Sequence, residues 1–266
     1  MELTVVGCSG SFPGPDGPAS CYLIEADGFR MVLDLGNGAL GALQRYASLR
    51  DVDAVCLSHL HADHCLDMCA YQVVRTYDPA GAWPPIPVYA PAGAAVRLDR
   101  ASAASPAASG SAESGSAESG SAESGSAEPP MARSFDFRAL SEGTLEIGPL
   151  RVTVARMNHP VETYGFRLEH GGRVIAYSAD TGPTGALEHL AAGADVLLCE
   201  ASFLAAPGLP GNLHLTAAQA AEHASRAGAG RLVLTHLVPW NDPERTRSEA
   251  GGFAGQVALA YPGMRI

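Results

Sequence analysis

The chain of 266 residues contains no lysine, so all 17 of its basic residues are arginine. This absence excludes catalysis through a lysine Schiff base and any phosphate-binding loop that depends on a lysine. Aromatic residues make up only 6% of the chain and charged residues 17%, whereas hydrophobic residues make up 47%. Such a composition is typical of a soluble globular protein rather than of a disordered or fibrous one.

Long apolar runs and paired cysteines are also absent. Nowhere do about 18 consecutive apolar residues occur, and the N-terminus lacks the basic start of a signal peptide. The six cysteines form no CxxC pair and lie mostly in apolar stretches, which predicts reduced, buried thiols without a catalytic role. We therefore expect a cytoplasmic protein that is not attached to a membrane.

Charge of one sign dominates the chain, with 28 acidic residues against 17 basic ones and a formal net charge of -11. Surfaces that follow a phosphate backbone need clustered arginine or lysine, and the arginines here form no cluster. We expect no stable nucleic-acid partner.

Residues 101–130 form a low-complexity segment. Four identical copies of Ser-Gly-Ser-Ala-Glu occupy residues 109–128, after an Ala/Ser/Pro-rich stretch at 101–108 and before two prolines. Such a sequence cannot pack a core, so it predicts a disordered tether inserted into one domain that spans residues 1–266. The sequence leaves open whether the repeat is natural or engineered.

Outside this segment, short apolar runs alternate with helical patterns, which is typical of α/β proteins. The pattern predicts a four-layer αββα sandwich of two mixed β-sheets, one before the tether and one after it, with helices outside. The predicted strands are residues 3–7, 21–25, 30–35, 54–58, 86–90, 150–155, 164–169, 174–178, 196–199 and 231–235. The predicted helices lie near residues 40–48, 186–192 and 217–227.

The motif HxHxDH at residues 59–64 directly follows the strand that ends at Ser58. His59 and His61, two residues apart in extended backbone, can point in the same direction toward one cation. Asp63 and His64 begin a helix and can hold a second cation. The alternative is a polar loop that only contacts solvent.

Six consecutive residues cannot complete the coordination of two ions, so further ligands must come from elsewhere. His159, Asp180 and His236 each follow a predicted strand. Open α/β sheets place their ligand sites at the carboxyl ends of strands, so we expect these three side chains to join the motif.

These motifs, together with the Ser178-Ala179-Asp180-Thr181 turn and Thr235-His236, resemble the metallo-β-lactamase superfamily in residue type and order. The resemblance covers the chain except for the tether. It implies two divalent metal ions, with zinc as the first expectation and manganese as the second, and it implies a homodimer. By this resemblance one ion is held by His59, His61 and His159, the other by Asp63, His64 and His236, and Asp180 bridges them.

Glu200 and the His-x-Thr sequence that starts at His214 resemble elements of the tRNA-processing ribonuclease Z group and its phosphodiesterase relatives. The resemblance implies that His214 helps to protonate the leaving oxygen and that Glu200 orients His214. The alternative is structural: His214 serves only the start of a helix at Thr216, and Glu200 is a buried charge at the end of a strand.

The Gly7–Ser11 loop, the Asp34-Leu35-Gly36 turn and the Leu237–Trp240 segment resemble the atypical class II cyclic-nucleotide phosphodiesterases. That resemblance implies hydrolysis of 3′,5′-cyclic nucleotides, cyclic AMP above all, to 5′-monophosphates by a metal-activated hydroxide. We expect Asp63 to orient the attacking water or to accept its proton. Tyr164, Trp240 and Asn241 either line the cleft or are core or turn residues, and the base pocket stays unassigned.

Three other functions stay open at this point. One is a tRNA 3′-end endonuclease of the ribonuclease Z type, and another is a metal-binding sensor without turnover. A hydrolase acting on lactones or thioesters is the third.

Overall fold

The computed structural model describes residues 1–103 and 130–266. Most of the predicted tether at 101–130 therefore lies outside the described residues. At its predicted start, Ala101 and Ser102 still belong to a helix, Ala94–Ser102.

Within residues 1–103 and 130–266, the first sheet has six strands in chain order. They are β1 Glu2–Gly7, β2 Cys21–Ala26, β3 Phe29–Leu33, β4 Ala54–Cys56, β5 Ile86–Ala90 and β6 Phe135–Ala139. The pairs β1–β2 and β2–β3 are antiparallel, and the pairs from β3 to β6 are parallel. The sheet is therefore mixed, as predicted.

The second sheet has seven strands among the described residues, again in chain order. They are β7 Gly143–Ile147, β8 Leu150–Arg156, β9 Tyr164–His170, β10 Arg173–Tyr177, β11 Val196–Glu200, β12 Arg231–Thr235 and β13 Gln256–Leu259. Strands β7 to β10 pair antiparallel, and β10 to β13 pair parallel.

Helices cover the outer faces of both sheets. The α-helices of the described part are α1 Ala39–Leu43, α2 Ala62–Cys65, α3 Met68–Tyr77, α4 Ala94–Ser102, α5 Gly185–Leu190, α6 Ala217–Ala227 and α7 Pro243–Glu249. Short 3₁₀ helices occur at Leu49–Asp51 and Met131–Arg133. Among the described residues, every helix is too short or too polar to span a lipid bilayer.

The burial of alternate residues shows how the layers stack. In β2, Tyr22 and Ile24 pack into the core between the sheets, whereas Leu23 packs under α1, α3 and α4. In β11, Leu198 faces the shared core and Leu197 faces α5 and α6. Because successive side chains of a strand point to opposite faces, these central strands are apolar on both sides. The predicted four-layer αββα sandwich is confirmed.

The predicted division of the sheets at the tether is wrong. Strand β6 follows the insertion but pairs in parallel with β5 of the first sheet. A parallel pair needs a crossover connection, so the insertion lies within the β5–β6 crossover and not between the sheets.

Several elements differ from the sequence prediction. Helix α1 ends at Leu43, before the predicted end at 48, because the amides of Arg45 and Tyr46 bond to carbonyls three residues back and tighten the chain. Strands β6, β7 and β13 and helices α3, α4 and α7 were not predicted. Strands β7 and β13 lie at sheet edges and are half exposed, so they lack an apolar pattern.

Candidate metal centre

Strand ends from both sheets meet at one edge of the sandwich. Asp34 follows β3, Ser58 and His59 follow β4, and Glu200 ends β11. The backbone turns through the left-handed region at Asp34 (φ 58°), at Ala179 (φ 51°) and at His236 (φ 53°). Residues other than glycine adopt this conformation at a cost, and such strain clusters at functional sites. These turns bring the side chains at the strand ends together.

The first donor cluster consists of His59, His61, His159 and Asp180. His59 Nε2 lies 3.1 Å from His61 Nδ1, and His159 Nε2 lies 3.4 Å from the same atom. His59 Nε2 is 3.7 Å from Asp180 Oδ2. Donors bound about 2.0–2.1 Å from a tetrahedral zinc ion stand about 3.3–3.4 Å apart, so these spacings fit one ion.

The second donor cluster consists of Asp63, His64, Asp180 and His236. His236 Nε2 lies 3.0 Å from Asp63 Oδ2 and 3.2 Å from His64 Nε2. Asp180 Oδ1 is 3.3 Å from His64 Nε2 and 3.5 Å from His236 Nε2. Asp180 thus presents Oδ2 to the first cluster and Oδ1 to the second, so the two clusters share its carboxylate.

Hydrogen bonds on the far side of the rings fix which nitrogen faces the clusters. His159 Nδ1 lies 2.9 Å from the Leu213 carbonyl, which can only accept, so Nδ1 carries the proton. In a neutral ring the lone pair is then on Nε2, toward His61. His64 Nδ1 contacts the Asp34 carboxylate at 2.9 Å in the same way. Such outer partners orient metal-binding histidines in proteins.

The donor set fits divalent metal ions. The lone pair of His159 Nε2 points toward His61 Nδ1, and Asp180 Oδ1 is buried without a hydrogen-bond partner. Converging acceptors of this kind repel one another unless a cation lies between them. Imidazole and carboxylate suit both zinc and manganese, so the donor types do not select the ion.

The pKa shifts agree with a site that holds positive charge. Burial lowers the pKa of His59, His61 and His159, which keeps their rings neutral and able to bind metal. Burial opposes ionisation of Asp180, but His236, His64 and His59 hold the pKa of its carboxyl well below the usual range.

Removal of metal should destabilise the protein, because the buried donors would then face one another uncompensated. A ligand at about 1,000 times its Kd stabilises a fold by about 4 kcal/mol, which corresponds to roughly 8–16 °C in Tm for a domain of this size. We expect chelation to lower Tm by about this amount and re-addition of zinc or manganese to restore it. An unchanged melting curve after verified metal removal would contradict a metal site in these clusters.

Glu200 and His214 lie beside the second cluster. His214 Nδ1 lies 2.9 Å from Glu200 Oε1, and Glu200 is further fixed by the amide of Thr181 at 2.7 Å. Burial opposes a charge on His214, but the hydrogen bond and the negative charge of Glu200 raise the pKa of His214 to about 8. With Nδ1 held by Glu200, Nε2 is the nitrogen that remains to meet a substrate.

The structure brings all nine predicted site residues to this one edge. His59 and His64 are fully buried, so the motif is not a solvent-facing polar loop. The cap of α6 is provided by the side chain of Thr216, which accepts from the amide of Gln219 at 3.2 Å, so His214 is not needed there.

Two side chains, those of Asp34 and Ser202, were not predicted as site residues, and they are joined by a backbone amide of the Gly7–Ser11 loop. Asp34 accepts hydrogen bonds from the Ser58 amide at 2.6 Å and from the Tyr177 hydroxyl at 2.9 Å, besides its contact with His64. Ser202 Oγ lies 2.6 Å from His236 Nδ1. The Ser11 amide donates to Asp63 Oδ2 at 2.9 Å. For Asp34, the signals were its place in the Asp34-Leu35-Gly36 turn and a carboxylate at the end of an apolar strand.

Replacing Asp34 with asparagine tests the outer hydrogen bonds. The amide nitrogen would oppose one of the donors that now converge on the carboxylate, and His64 would lose its negative partner. Loss of such an outer partner lowers metal affinity by about 10- to 100-fold. Metal titration of Asp34→Asn should show this loss, whereas Asp136→Asn, in an exposed position on β6, should bind metal normally. Equal affinity in both variants would contradict the role of Asp34.

Comparison with known proteins places this site in a family. Residues 30–237 match the family described as beta-lactamase superfamily domain. The chain is 42% identical to an uncharacterized protein of Mycobacterium leprae, over 99% of this chain and 87% of that protein. It is 30% identical to a ribonuclease Z of Mycolicibacterium paratuberculosis, over 97% of this chain and 95% of that protein.

A solved structure gives the same fold. The crystal structure of the metallo-beta-lactamase fold protein YhfI from Bacillus subtilis superposes with a TM-score of 0.82 at 26% identity, covering 100% of this chain and 98% of that one. The family match, a 27% identical probable metallo-hydrolase of Bacillus subtilis and the His/Asp clusters at one edge of the sandwich together support a metal-dependent hydrolase. The chain belongs to the metallo-beta-lactamase superfamily.

Proposed function

We propose that the protein is a binuclear metal-dependent phosphodiesterase that hydrolyses 3′,5′-cyclic nucleotides, cyclic AMP above all, to 5′-nucleoside monophosphates. The observation that carries this proposal is the carboxylate of Asp180, shared between two donor clusters, with the Glu200–His214 pair beside them. The reaction takes place in the cytoplasm.

A phosphodiester is a poor electrophile with a poor leaving group. Its hydrolysis needs a strong nucleophile, neutralisation of charge on the phosphoryl oxygens and a proton for the departing oxygen. Two ions held by the clusters would supply the first two requirements. They would lower the pKa of a water molecule and stabilise the charge on the attacking and departing oxygens.

The side chains around the clusters supply the rest. Asp63 Oδ2 accepts from the Ser11 amide, which holds the carboxylate in place at the second donor cluster. Asp63 accepts a proton from that water or orients it. His214, charged through its contact with Glu200, donates a proton to the departing 3′ oxygen.

The charge of the chain favours a small substrate over a large polyanion. A net charge of -11 without lysine provides little attraction for the many phosphates of tRNA, whereas a cyclic nucleotide carries a single phosphate that fits the metal centre. We therefore propose a small-molecule partner and no stable nucleic-acid partner. We also propose that the protein forms a homodimer.

Incubation of purified protein with cyclic AMP tests the proposal, after elemental analysis and with zinc or manganese added. We expect accumulation of the 5′-monophosphate from 3′,5′-cyclic AMP and slower turnover of a 2′,3′-cyclic nucleotide. Full metal occupancy without turnover of any cyclic nucleotide would refute the proposal.

A tRNA 3′-end endonuclease is the second candidate. The Glu200–His214 pair and the 30% identity with a ribonuclease Z favour it. Precursor tRNA incubated beside cyclic AMP distinguishes the two candidates, since cleavage at the 3′ end would support the nuclease. If metal binds tightly but neither substrate nor a panel of lactones and thioesters reacts, a metal-binding sensor is the remaining function.

A further inference from the structure

Two aromatic side chains lie together at the rim of the metal centre. The rings of Phe12 and Trp240 have centroids 4.8 Å apart and are tilted by 44°. Trp240 is 75% exposed, more than any other large hydrophobic side chain in the described ranges. Exposure of so large an apolar ring is costly unless it binds something.

Phe12 is placed next to the donor clusters by the loop after β1. The preceding residue, Ser11, donates its amide to Asp63 Oδ2 at 2.9 Å and lies 3.4 Å from His236 Nε2. At Gly10, an added Cβ would clash with the His236 carbonyl oxygen. The loop therefore packs directly against the backbone of His236, one of the candidate metal ligands, and this contact fixes its position.

Trp240 is placed by the loop after His236. Asn241 donates its side-chain amide to the Ser202 carbonyl at 2.8 Å, and Ser202 Oγ contacts His236 Nδ1 at 2.6 Å. Four residues span at most about 13–14 Å of extended chain, so Trp240 lies within that distance of His236 along the backbone. Its ring also contacts Phe12, whose neighbour Ser11 bonds to Asp63, so the aromatic pair lies next to the donor clusters.

We propose that Phe12 and Trp240 form a stacking platform for the nucleobase of the substrate, while its phosphate lies at the metal centre. The inference rests on the proposed function and names the part of the substrate that these residues recognise. Flat aromatic faces bind any base by stacking, which predicts modest discrimination among bases. A hydrogen-bonding pocket would discriminate more strongly.

The two tryptophans of the chain make a direct binding test available. Trp83 lies elsewhere, with its Nε1 donating to Asp78 at 2.7 Å, so Trp83→Phe leaves Trp240 as the single tryptophan. We expect the reaction product, AMP, to quench the fluorescence of metal-loaded Trp83→Phe saturably. Ribose 5-phosphate, which has the phosphate and sugar but no base, should not quench it.

Calorimetry on single variants of the otherwise intact chain gives the second measurement. Removal of a stacking partner weakens base binding by about 5- to 100-fold, so Trp240→Ala should lose that much affinity for AMP and Phe12→Ala less. Tyr77→Ala, at the exposed far end of α3, is the matched control and should bind AMP normally. Affinity for ribose 5-phosphate should be the same in all of these variants.

Equal quenching by AMP and ribose 5-phosphate, or unchanged AMP affinity in Trp240→Ala, would overturn the platform. If instead the ring is covered by a second copy of the chain, Trp240→Ala would change the sedimentation of the protein and leave AMP binding intact, which also overturns it. AMP quenching without hydrolysis of cyclic AMP would support the platform and refute the proposed function. Hydrolysis of cyclic AMP without quenching by AMP would support the proposed function and overturn the platform.

Discussion

Replacing Asp180 with asparagine is expected to remove most of the metal and nearly all of the activity. Each oxygen of this carboxylate faces a different donor cluster, Oδ2 at 3.7 Å from His59 and Oδ1 at 3.3 Å from His64. An amide keeps the shape but offers one oxygen and no charge. Removing one partner from a buried charge cluster costs about 3–5 kcal/mol, which corresponds to a loss of roughly 10²- to 10³-fold or more in metal affinity or rate.

Elemental analysis and hydrolysis rates of Asp180→Asn check this expectation together. Metal content should fall for both ions, because both clusters contain Asp180. The exposed Asp136→Asn variant serves as the control for the change of charge. If Asp180→Asn retained two ions per chain and its rate, the shared carboxylate would have no bridging role.

The metal clusters could be predicted from the sequence because their residues follow apolar strands. Parallel strands β11 and β12 end in register, with Glu200 opposite Thr235, and β10 ends next to them with Tyr177 opposite Leu198, so residues just beyond these strands lie close together. The strands themselves are recognisable because both of their faces are buried. Burial on both faces therefore explains why the predicted central strands of both sheets agree with the observed ones.

The remaining features depend on contacts that no local pattern encodes. Strand β6 follows the insertion, and only its pairing with β5 assigns it to the first sheet. Asp34 contacts Tyr177, which is 143 residues further along the chain, so its place beside His64 becomes visible only in the folded protein. Phe12 and Trp240 are separated by more than 200 residues in the same way.

Replacing His214 with alanine is expected to separate proton donation from metal binding. His214 lies 3.9 Å from Asp180, and Glu200 at 2.9 Å stabilises its protonated ring, but His214 is not needed to complete either four-residue donor cluster around Asp180. General acid catalysis contributes about 10²- to 10⁴-fold, so the rate with cyclic AMP should fall within that range while metal content stays normal. Glu200→Gln should lower the rate less, since the imidazole remains.

The leaving group decides whether this loss reflects proton transfer. An aryl diester that releases nitrophenolate needs little protonation, whereas the 3′ oxygen of a cyclic nucleotide leaves as a far stronger base. His214→Ala should therefore hydrolyse the aryl diester at nearly the normal rate and lose activity only toward cyclic AMP. Equal losses on both substrates would mean that the imidazole supports the shape of the site, and the departing oxygen would have to obtain its proton from solvent or from a water held by Asp63.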